Sequence, residues 1–193
     1  PPSNISSKRG VRRVFALIAE IKVSNDHDEL LVAYSLGSCV GVALWDPGCR
    51  AGGMAHVFLP CPRQSNYIAA SGNSEIIPGR FRPTEPNEQP GKYGTMAVSN
   101  LIHSLAKSGC KKERLVAVIA GGANVIPGLS SPFGDVGDMN LKAVEEALAV
   151  ERIKVVGRDT GGNYGRSMYL YVDAGVVKVI SISGPEREFR FKE

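Results

Sequence analysis

The sequence predicts an α/β fold, a single layered domain of mixed β-sheet with about two main helices. A chain of 193 residues has the usual size of one domain. Its 43% hydrophobic residues are enough for an ordinary core and exclude a disordered chain. Two segments have helical periodicity, and about seven short segments have the alternating or continuous apolar pattern of strands. The combination of these patterns, without an internal repeat, indicates an α/β domain.

The strand segments are distributed along the whole chain. They are expected at residues 14–23, 40–45, 51–59, 115–120, 153–156, 167–172 and 176–182. The residues between the second and third strands, Asp46-Pro47-Gly48, favour a turn. We therefore expect these two strands to form a hairpin.

Two segments have apolar residues at helical spacing. The first covers residues 93–108 and is followed by Gly109, which is typical of a helix C-terminus. The second runs from Asp138, a residue type that caps helix N-termini, to about Glu151. Each has one apolar face, which we expect to pack against the sheet.

The remaining segments define the domain boundaries. Residues 1–13 are predicted to be a basic flexible arm, followed by one folded domain at 14–193 with a long surface excursion at 60–92. The excursion is rich in Pro, Gly, Ser, Asn and Gln and is too long for an ordinary connection. The arm has four basic residues and no acid, so its charge alone accounts for the net charge of +4 of the chain. A basic groove for nucleic acid is therefore not expected.

Two patterns bear on location. No apolar run approaches the ~20 residues that cross a bilayer, and the start of the sequence lacks the apolar core of a signal peptide. We therefore expect no membrane insertion and a cytoplasmic location. The four cysteines include no CxxC pair and are few for a secreted disulfide framework.

A zinc site made of Cys39, Cys49, His56 and Cys61 is disfavoured, because structural zinc sites usually have close-spaced ligand pairs.

The pairing of one cysteine with one histidine is the strongest indication of chemistry. A hairpin centred between Pro47 and Gly48 places Cys39 directly opposite His56. Such residues have Cβ atoms about 4.5–5.5 Å apart, so the thiol and the imidazole come within hydrogen-bonding reach. A histidine can activate a thiol as a nucleophile, although a facing Cys and His are also compatible with core packing.

The residues around Cys39 suit such a nucleophile. Gly37 allows a sharp entry into the site, and backbone N–H groups of Gly37, Ser38 and Cys39 are candidates for stabilising an oxyanion. A cysteine with a pKa of about 8.5 is mostly a thiol at neutral pH, so His56 is the candidate cation for its activation. The same imidazole can protonate departing ammonia and then activate water against a thioester.

These motifs resemble those of a known family. Residues 36–40 (LGSCV), 53–56 (GMAH) and 59–60 (LP) are similar to the signature of the chemoreceptor glutamine deamidases of bacterial chemotaxis, the CheD family. Further stretches resemble family landmarks in the same order: residues 90–93 (PGKY), 121–123 (GGA), Asn140, 159–163 (DTGGN) and 165–166 (GR). The resemblance covers roughly residues 14–182.

The resemblance implies a specific reaction. Family members convert selected receptor glutamines to glutamate plus ammonia through a cysteine thioester, without metal or organic cofactor. Cys39 would be the nucleophile and His56 its acid and base. The implied partners are the cytoplasmic helices of methyl-accepting chemoreceptors and, for some members, a CheC-type phosphatase. The implied fold is similar to the catalytic domain of cytotoxic necrotizing factor.

The sequence also departs from the family pattern. A Thr six residues before the nucleophile is the third catalytic member in the family, and that position is Ala33 here. Ser35 is the candidate replacement, because it has the same strand parity as Ala33 and Cys39. Other polar residues are candidates for binding substrate or partner or for holding their own segments: Lys92, Tyr93, Asp159, Thr160 and Asn163.

The missing Thr leaves alternatives open. The chain is either a protein-glutamine deamidase or a weakly catalytic or non-catalytic adaptor for a CheC-type phosphatase or chemoreceptor. A third alternative is a thiol hydrolase or transferase that acts on an unrelated amide. This last enzyme would act on small carboxamides without a receptor.

Overall fold

The computed structural model describes residues 10–62, 89–125, 135–181 and 183–191. These residues form ten strands and two α-helices. In chain order they are β1 (Arg12–Phe15), β2 (Ile21–Ser24), β3 (Glu29–Leu36), β4 (Val40–Asp46), β5 (Ala51–Val57), α1 (Gly94–Lys107), β6 (Val116–Gly121), α2 (Val136–Val150), β7 (Lys154–Thr160), β8 (Arg166–Tyr171), β9 (Val176–Ile180) and β10 (Arg187–Arg190). A single turn of 3-10 helix, Lys112–Arg114, precedes β6.

The strands form two five-stranded sheets. The first sheet has the order β1-β3-β8-β9-β10, and the second has the order β2-β5-β4-β6-β7. Each described sheet is mixed, with one parallel pair, β1 with β3 and β6 with β7. One apolar core lies between the second sheet and the two helices, and another lies between the two sheets. The predicted α/β class with two main helices is confirmed, with the strands divided over two sheets.

The central strand β4 contributes to both cores. Val42 and Leu44 belong to the core under the helices, whereas Ala43 and Trp45 belong to the core between the sheets. All seven residues of β4 are buried. Both faces of the strand are covered, so its sequence is a continuous apolar run without polar alternation.

The N-terminal region differs most from the prediction. Residues 14–23, predicted as one strand, contain parts of β1 and β2, which lie in different sheets. The chain crosses between them at residues 16–20, where Ala19 has a φ of +67°. Arg12 and Arg13, assigned by sequence to the arm, lie in β1 and pair with β3. Residues 1–9 of the arm and 63–88 of the excursion lie outside the described residues.

Both helices lie close to their predicted positions. The first begins one residue after Tyr93. The second begins at Val136 and is capped by Asp135, whose carboxylate accepts a hydrogen bond from the Gly137 N–H, 2.9 Å away. Asp138, the predicted cap, lies instead in the first turn. In the described ranges, neither helix has the length and apolar character needed to span a membrane.

Candidate active site

The β4–β5 hairpin determines how Cys39 and His56 lie relative to each other. Four residues, 47–50, separate β4 from β5, so Gly41 is the residue opposite His56. The predicted direct opposition of Cys39 and His56 is therefore wrong. The turn is longer than predicted, and the Asp46 carboxylate accepts a hydrogen bond from the Gly48 N–H within it (2.7 Å).

The register change does not alter the face on which the two side chains lie. Cys39 precedes Gly41 by two residues and packs in the core between the sheets. His56 follows Met54, which is in the same core, by two residues. Cys39 and His56 are thus diagonal neighbours, a relation in which residues lie about 7–8 Å apart and long side chains can still meet.

The imidazole of His56 is oriented by the backbone. Its Nδ1 lies 3.2 Å from the Ala16 carbonyl oxygen, which can only accept, so Nδ1 carries the proton. Nε2 of the neutral ring is then an acceptor, and it is buried with no hydrogen-bond partner among the described residues. Burial lowers the pKa of His56 below 6.5, and the bond to Ala16 opposes this shift. The ring is therefore neutral at pH 7, with a free lone pair on Nε2.

The thiol of Cys39 is also neutral. Cys39 is 7% exposed, and burial raises the pKa of its thiol above the usual value. The directions of the two shifts disfavour a thiolate beside an imidazolium, because burial penalises both charges. The interpretation of His56 as an activating cation is not supported by these shifts. Nε2 has no hydrogen-bond partner among the described residues, so the predicted hydrogen bond between the Cys39 thiol and the imidazole is not formed in this structure. Two neutral groups on one face instead suit a base that takes the thiol proton once substrate is bound.

The backbone of residues 37–39 is fixed through its carbonyl groups. All three carbonyl oxygens accept hydrogen bonds from other elements. The donors are the Ala123 N–H to Gly37 (2.7 Å), the Asn140 Nδ2 to Ser38 (2.9 Å) and the Gly122 N–H to Cys39 (2.8 Å). Each carbonyl shares a peptide plane with the N–H group of the next residue, so these bonds also restrict the N–H groups of Ser38 and Cys39.

The N–H groups of residues 37–39 differ in whether they make a hydrogen bond. The Gly37 N–H donates to the Ser35 carbonyl oxygen at 2.9 Å, which removes it from the predicted oxyanion donors. The N–H groups of Ser38 and Cys39 make no hydrogen bond within the described part of the chain. Two of the three predicted donors therefore remain available.

Gly121 allows the chain to pass close to Cys39. A Cβ atom on Gly121 would lie 2.2 Å from the Cys39 carbonyl oxygen, and the residue has a φ of +103°. Both the contact and the backbone conformation exclude a side chain at this position. The first glycine of the Gly-Gly-Ala motif is thus required by the packing of β6 against the Cys39 segment.

Asn140 connects α2 to both halves of the site. Its Nδ2 donates to the carbonyl oxygens of Ser38 (2.9 Å) and Phe58 (3.0 Å), and its side chain is fully buried. Asn140 matches a family landmark in the sequence but is not among the predicted site residues. A signal was present, because Asn140 is a polar residue in helical register with buried Val144 and Leu148.

Ser35 lies at a β-bulge. The pairing of β3 with β8 shifts between Ala33 and Leu36, and Ser35 has a φ of +58°. Ala33 is fully buried, whereas Ser35 is exposed, so the predicted shared parity of these two residues is wrong.

The bulge nevertheless brings Ser35 to the same pocket as His56. The pocket has a volume of about 190 Å³. Its lining is largely apolar and does not include Cys39. The lining residues are Phe15, Ala16, Leu17, Ile18, Val32, Tyr34, Ser35 and His56.

Lys92 and Tyr93 lie beside the segment that follows His56. The Lys92 carbonyl oxygen accepts from the N–H groups of Phe58 (3.2 Å) and Leu59 (2.9 Å). Tyr93 is 8% exposed, and the Lys92 ammonium lies 4.9 Å from the centre of its ring. In this arrangement the two residues fix the end of β5.

Asp159, Thr160 and Asn163 lie on the far side of residues 121–125. Asp159 accepts from Arg166 Nε at 3.1 Å, and both side chains are buried. The loop after β7 exchanges backbone hydrogen bonds with residues 121–125, from Gly161 N–H to Gly121 and from Asn124 N–H to Gly162. Asp159 thus fixes a loop that supports the Cys39 segment, while Asn163 is exposed.

The zinc ligands considered from sequence, Cys39, Cys49, His56 and Cys61, do not lie together. Cys49 lies at the opposite end of β4 from Cys39, next to Cys110. In the residues that the structure describes, the one group of three metal-ligand types within reach of one another is Asp46, Cys49 and Cys110.

A solved structure shows limited similarity to this chain. It is a crystal structure of a Neisseria meningitidis protein assigned to the family model DUF152. The superposition has a TM-score of 0.42 at 10% identity and covers 77% of this chain and 64% of that chain.

Sequence comparison gives much stronger matches. A family model described as CheD chemotactic sensory transduction matches residues 76–181. "Probable chemoreceptor glutamine deamidase CheD 2" of Geobacter metallireducens is 38% identical over 172 residues, which are 89% of this chain and 94% of the relative. "Probable chemoreceptor glutamine deamidase CheD" of Symbiobacterium thermophilum is 38% identical over 179 residues, 92% and 98% of the two chains. "Chemoreceptor glutamine deamidase CheD" of Thermotoga maritima is 36% identical over 158 residues, which are 82% of this chain and 85% of the relative. The chain belongs to the CheD family.

Proposed function

We propose that this chain is a cytoplasmic, cysteine-dependent glutamine deamidase of bacterial chemotaxis. Its substrates are glutamine side chains on the cytoplasmic helices of a chemoreceptor. Cys39 is the nucleophile, His56 the general base and acid, and the N–H groups of Ser38 and Cys39 the oxyanion donors. The observation that carries this proposal is His56 Nε2, which is buried, has no hydrogen-bond partner within the described ranges and lies on the sheet face shared with Cys39.

The reaction follows from these groups. Nε2 of His56 takes the Cys39 proton as the sulfur attacks the carboxamide carbon, and the oxyanion is stabilised by the two free N–H groups. The imidazolium then protonates the departing ammonia, leaving a thioester. His56 next removes a proton from water, which hydrolyses the thioester to the glutamate and restores the thiol.

The surface around the pocket suits a protein substrate. Four large apolar side chains on its rim are partly exposed: Phe15 (41%), Leu17 (63%), Ile18 (50%) and Tyr34 (39%). An apolar rim around a buried polar group is typical of a site that covers its substrate and excludes water. An amphipathic receptor helix can lay its apolar face on this rim and direct a glutamine side chain toward His56.

The test is mass spectrometry of a receptor cytoplasmic fragment incubated with the chain. Deamidation adds about 1 Da at a glutamine, and we expect this gain to disappear with Cys39→Ala. Cys61→Ala is the matched control, because Cys61 is also 7% exposed. Equal product from wild type and Cys39→Ala, both correctly folded, would refute the proposal.

The adaptor function is the second candidate, favoured by one observation. Ala33 is fully buried and has no hydroxyl, so the third catalytic member is missing from its family position. A thiol probe separates the two functions. An adaptor would leave Cys39 no more reactive than an unactivated buried thiol, and His56→Ala would not change its labelling. Binding to a CheC-type phosphatase would then persist in Cys39→Ala. Turnover of small carboxamides without a receptor would indicate the broader thiol hydrolase.

A further inference from the structure

A second pair of cysteines lies at the end of β4 opposite to Cys39. Cys49 is in the turn between β4 and β5, and Cys110 follows α1. Their sulfur atoms are 2.8 Å apart, and neither cysteine is in a disulfide. A disulfide bond is about 2.05 Å long, so a movement of about 0.75 Å would join the two atoms. Cys110 is buried, whereas Cys49 is partly open to solvent.

Asp46 lies beside both thiols, and the three residues could be read as a metal site. The hydrogen bonds of Asp46 argue against this reading. Its Oδ1 accepts from Gly48 N–H and Arg114 Nε, and its Oδ2 accepts from Lys111 N–H and Arg114 Nη2, all at 2.7–2.9 Å. The carboxylate is therefore fully engaged, and the adjacent guanidinium repels a cation. The two thiols are in contact with each other, and Cys49 also hydrogen-bonds to the Asp46 carboxylate.

We propose that Cys49 and Cys110 are an oxidative modification site, at which hydrogen peroxide converts the two thiols to a disulfide. Cys49 reacts first, because it is the thiol that solvent reaches. Its sulfur attacks one peroxide oxygen, the O–O bond breaks, and sulfenic acid and one water form. The Cys110 sulfur then displaces the hydroxyl from the Cys49 sulfur, and the hydroxyl leaves as water with the Cys110 proton. Two thiols and one peroxide give one disulfide and two waters.

The order of these steps agrees with the environment of Cys110. Burial, followed by the hydrogen bond and charge of Cys49, raises the pKa of Cys110 to about 12. Cys110 therefore stays protonated at neutral pH and is a poor first nucleophile. Its contact with Cys49 makes it the resolving thiol, because no other described cysteine lies within bonding reach of Cys49.

The disulfide would have a measurable effect on stability. It would join residues 61 positions apart and so restrict the unfolded chain. For a loop of this size and a chain of this length, the chain-entropy model predicts a Tm increase of about 10 °C. The bond would form at the end of β4 remote from Cys39, so its formation does not consume the nucleophile.

The test uses the full chain treated with hydrogen peroxide near neutral pH. We expect a mass loss of about 2 Da, a peptide cross-linked between Cys49 and Cys110, and a Tm increase that dithiothreitol reverses. Cys49→Ser and Cys110→Ser should each abolish all three changes, and Cys61→Ser should abolish none. The Tm of each variant before oxidation shows that it is folded.

Three results would overturn the proposal. The first is a gain of about 16 or 32 Da at Cys49 without a cross-link, which would show that Cys110 does not resolve the sulfenic acid. The second is a cross-link to Cys39 or Cys61. The third is a Tm increase of the reduced protein with zinc that Asp46→Asn removes, which would make the cluster a metal site.

Discussion

Replacing Asn140 by Ala tests whether one buried amide holds the two halves of the active site together. Its Nδ2 donates to Ser38 and Phe58, so the change removes two hydrogen bonds and leaves two carbonyl oxygens without that donor. At about 1 kcal/mol for each bond, with a further contribution from the unsatisfied oxygens, we expect a loss of about 3 kcal/mol in the free energy of unfolding. This corresponds to a Tm decrease of about 10 °C.

The matched control is Asn100→Ala. Asn100 lies on α1, and its Nδ2 also donates to a backbone carbonyl, that of Pro90 at 2.9 Å, but at an exposed position. We expect a loss below about 1 kcal/mol, because water replaces this bond. Urea unfolding of both variants gives the comparison, and deamidation is measured at a temperature where both are folded. Equal stability of the two variants, or full activity of Asn140→Ala, would refute the role assigned to Asn140.

Three further changes test other parts of the site. Gly121→Ala should abolish deamidation and lower the Tm in circular dichroism, because its Cβ would clash with the Cys39 carbonyl oxygen; Gly10→Ala, with no atom within 4 Å of the added Cβ, should have neither effect. Because folding lowers the pKa of His56, its imidazole binds a proton more readily in the unfolded chain than in the folded one. The contribution of His56 to the free energy of unfolding should therefore be complete above pH 6.5 and decrease as the pH falls toward the folded-state pKa. Urea titrations between about pH 5 and 7 measure this, and an unchanged slope in His56→Gln would contradict it. Ser35→Gly should raise stability by up to about 1 kcal/mol by relieving the positive φ, and should reduce turnover by removing the hydroxyl; unchanged turnover would show that Ser35 does not replace the missing Thr.

The face on which the site lies could be predicted from sequence, whereas its register could not. Strand parity is a local property, and it correctly places Cys39 and His56 on one shared face of the hairpin, which the structure shows to be the side that faces the first sheet. The register depends on the length of the turn, which here involves Asp46 and a guanidinium 68 residues away, that of Arg114. No pattern within the hairpin shows such a partner.

The two segments whose backbone differs from the predicted strands share one physical feature. Ala19 and Ser35 both have positive φ, at +67° and +58°, although neither is glycine or asparagine. Sequence patterns assign such residues to regular strands, because this backbone conformation is unfavourable for them in isolation. In this protein, the crossing from β1 to β2 imposes the positive φ on Ala19, and the bulge in β3 imposes it on Ser35. The helices were easier to predict, because their periodicity extends over about 15 residues.

The position of β4 has a consequence for how the protein loses activity. This strand is bonded to a neighbour on each side, and both of its faces are covered, so its amides have no route to deuterated solvent short of complete unfolding. Cys39 directly precedes the strand. Fluctuations that fray β10, an outer strand of the first sheet that bonds to neither Cys39 nor His56, would leave the nucleophile in place, so fraying of that strand alone should not inactivate the protein on warming.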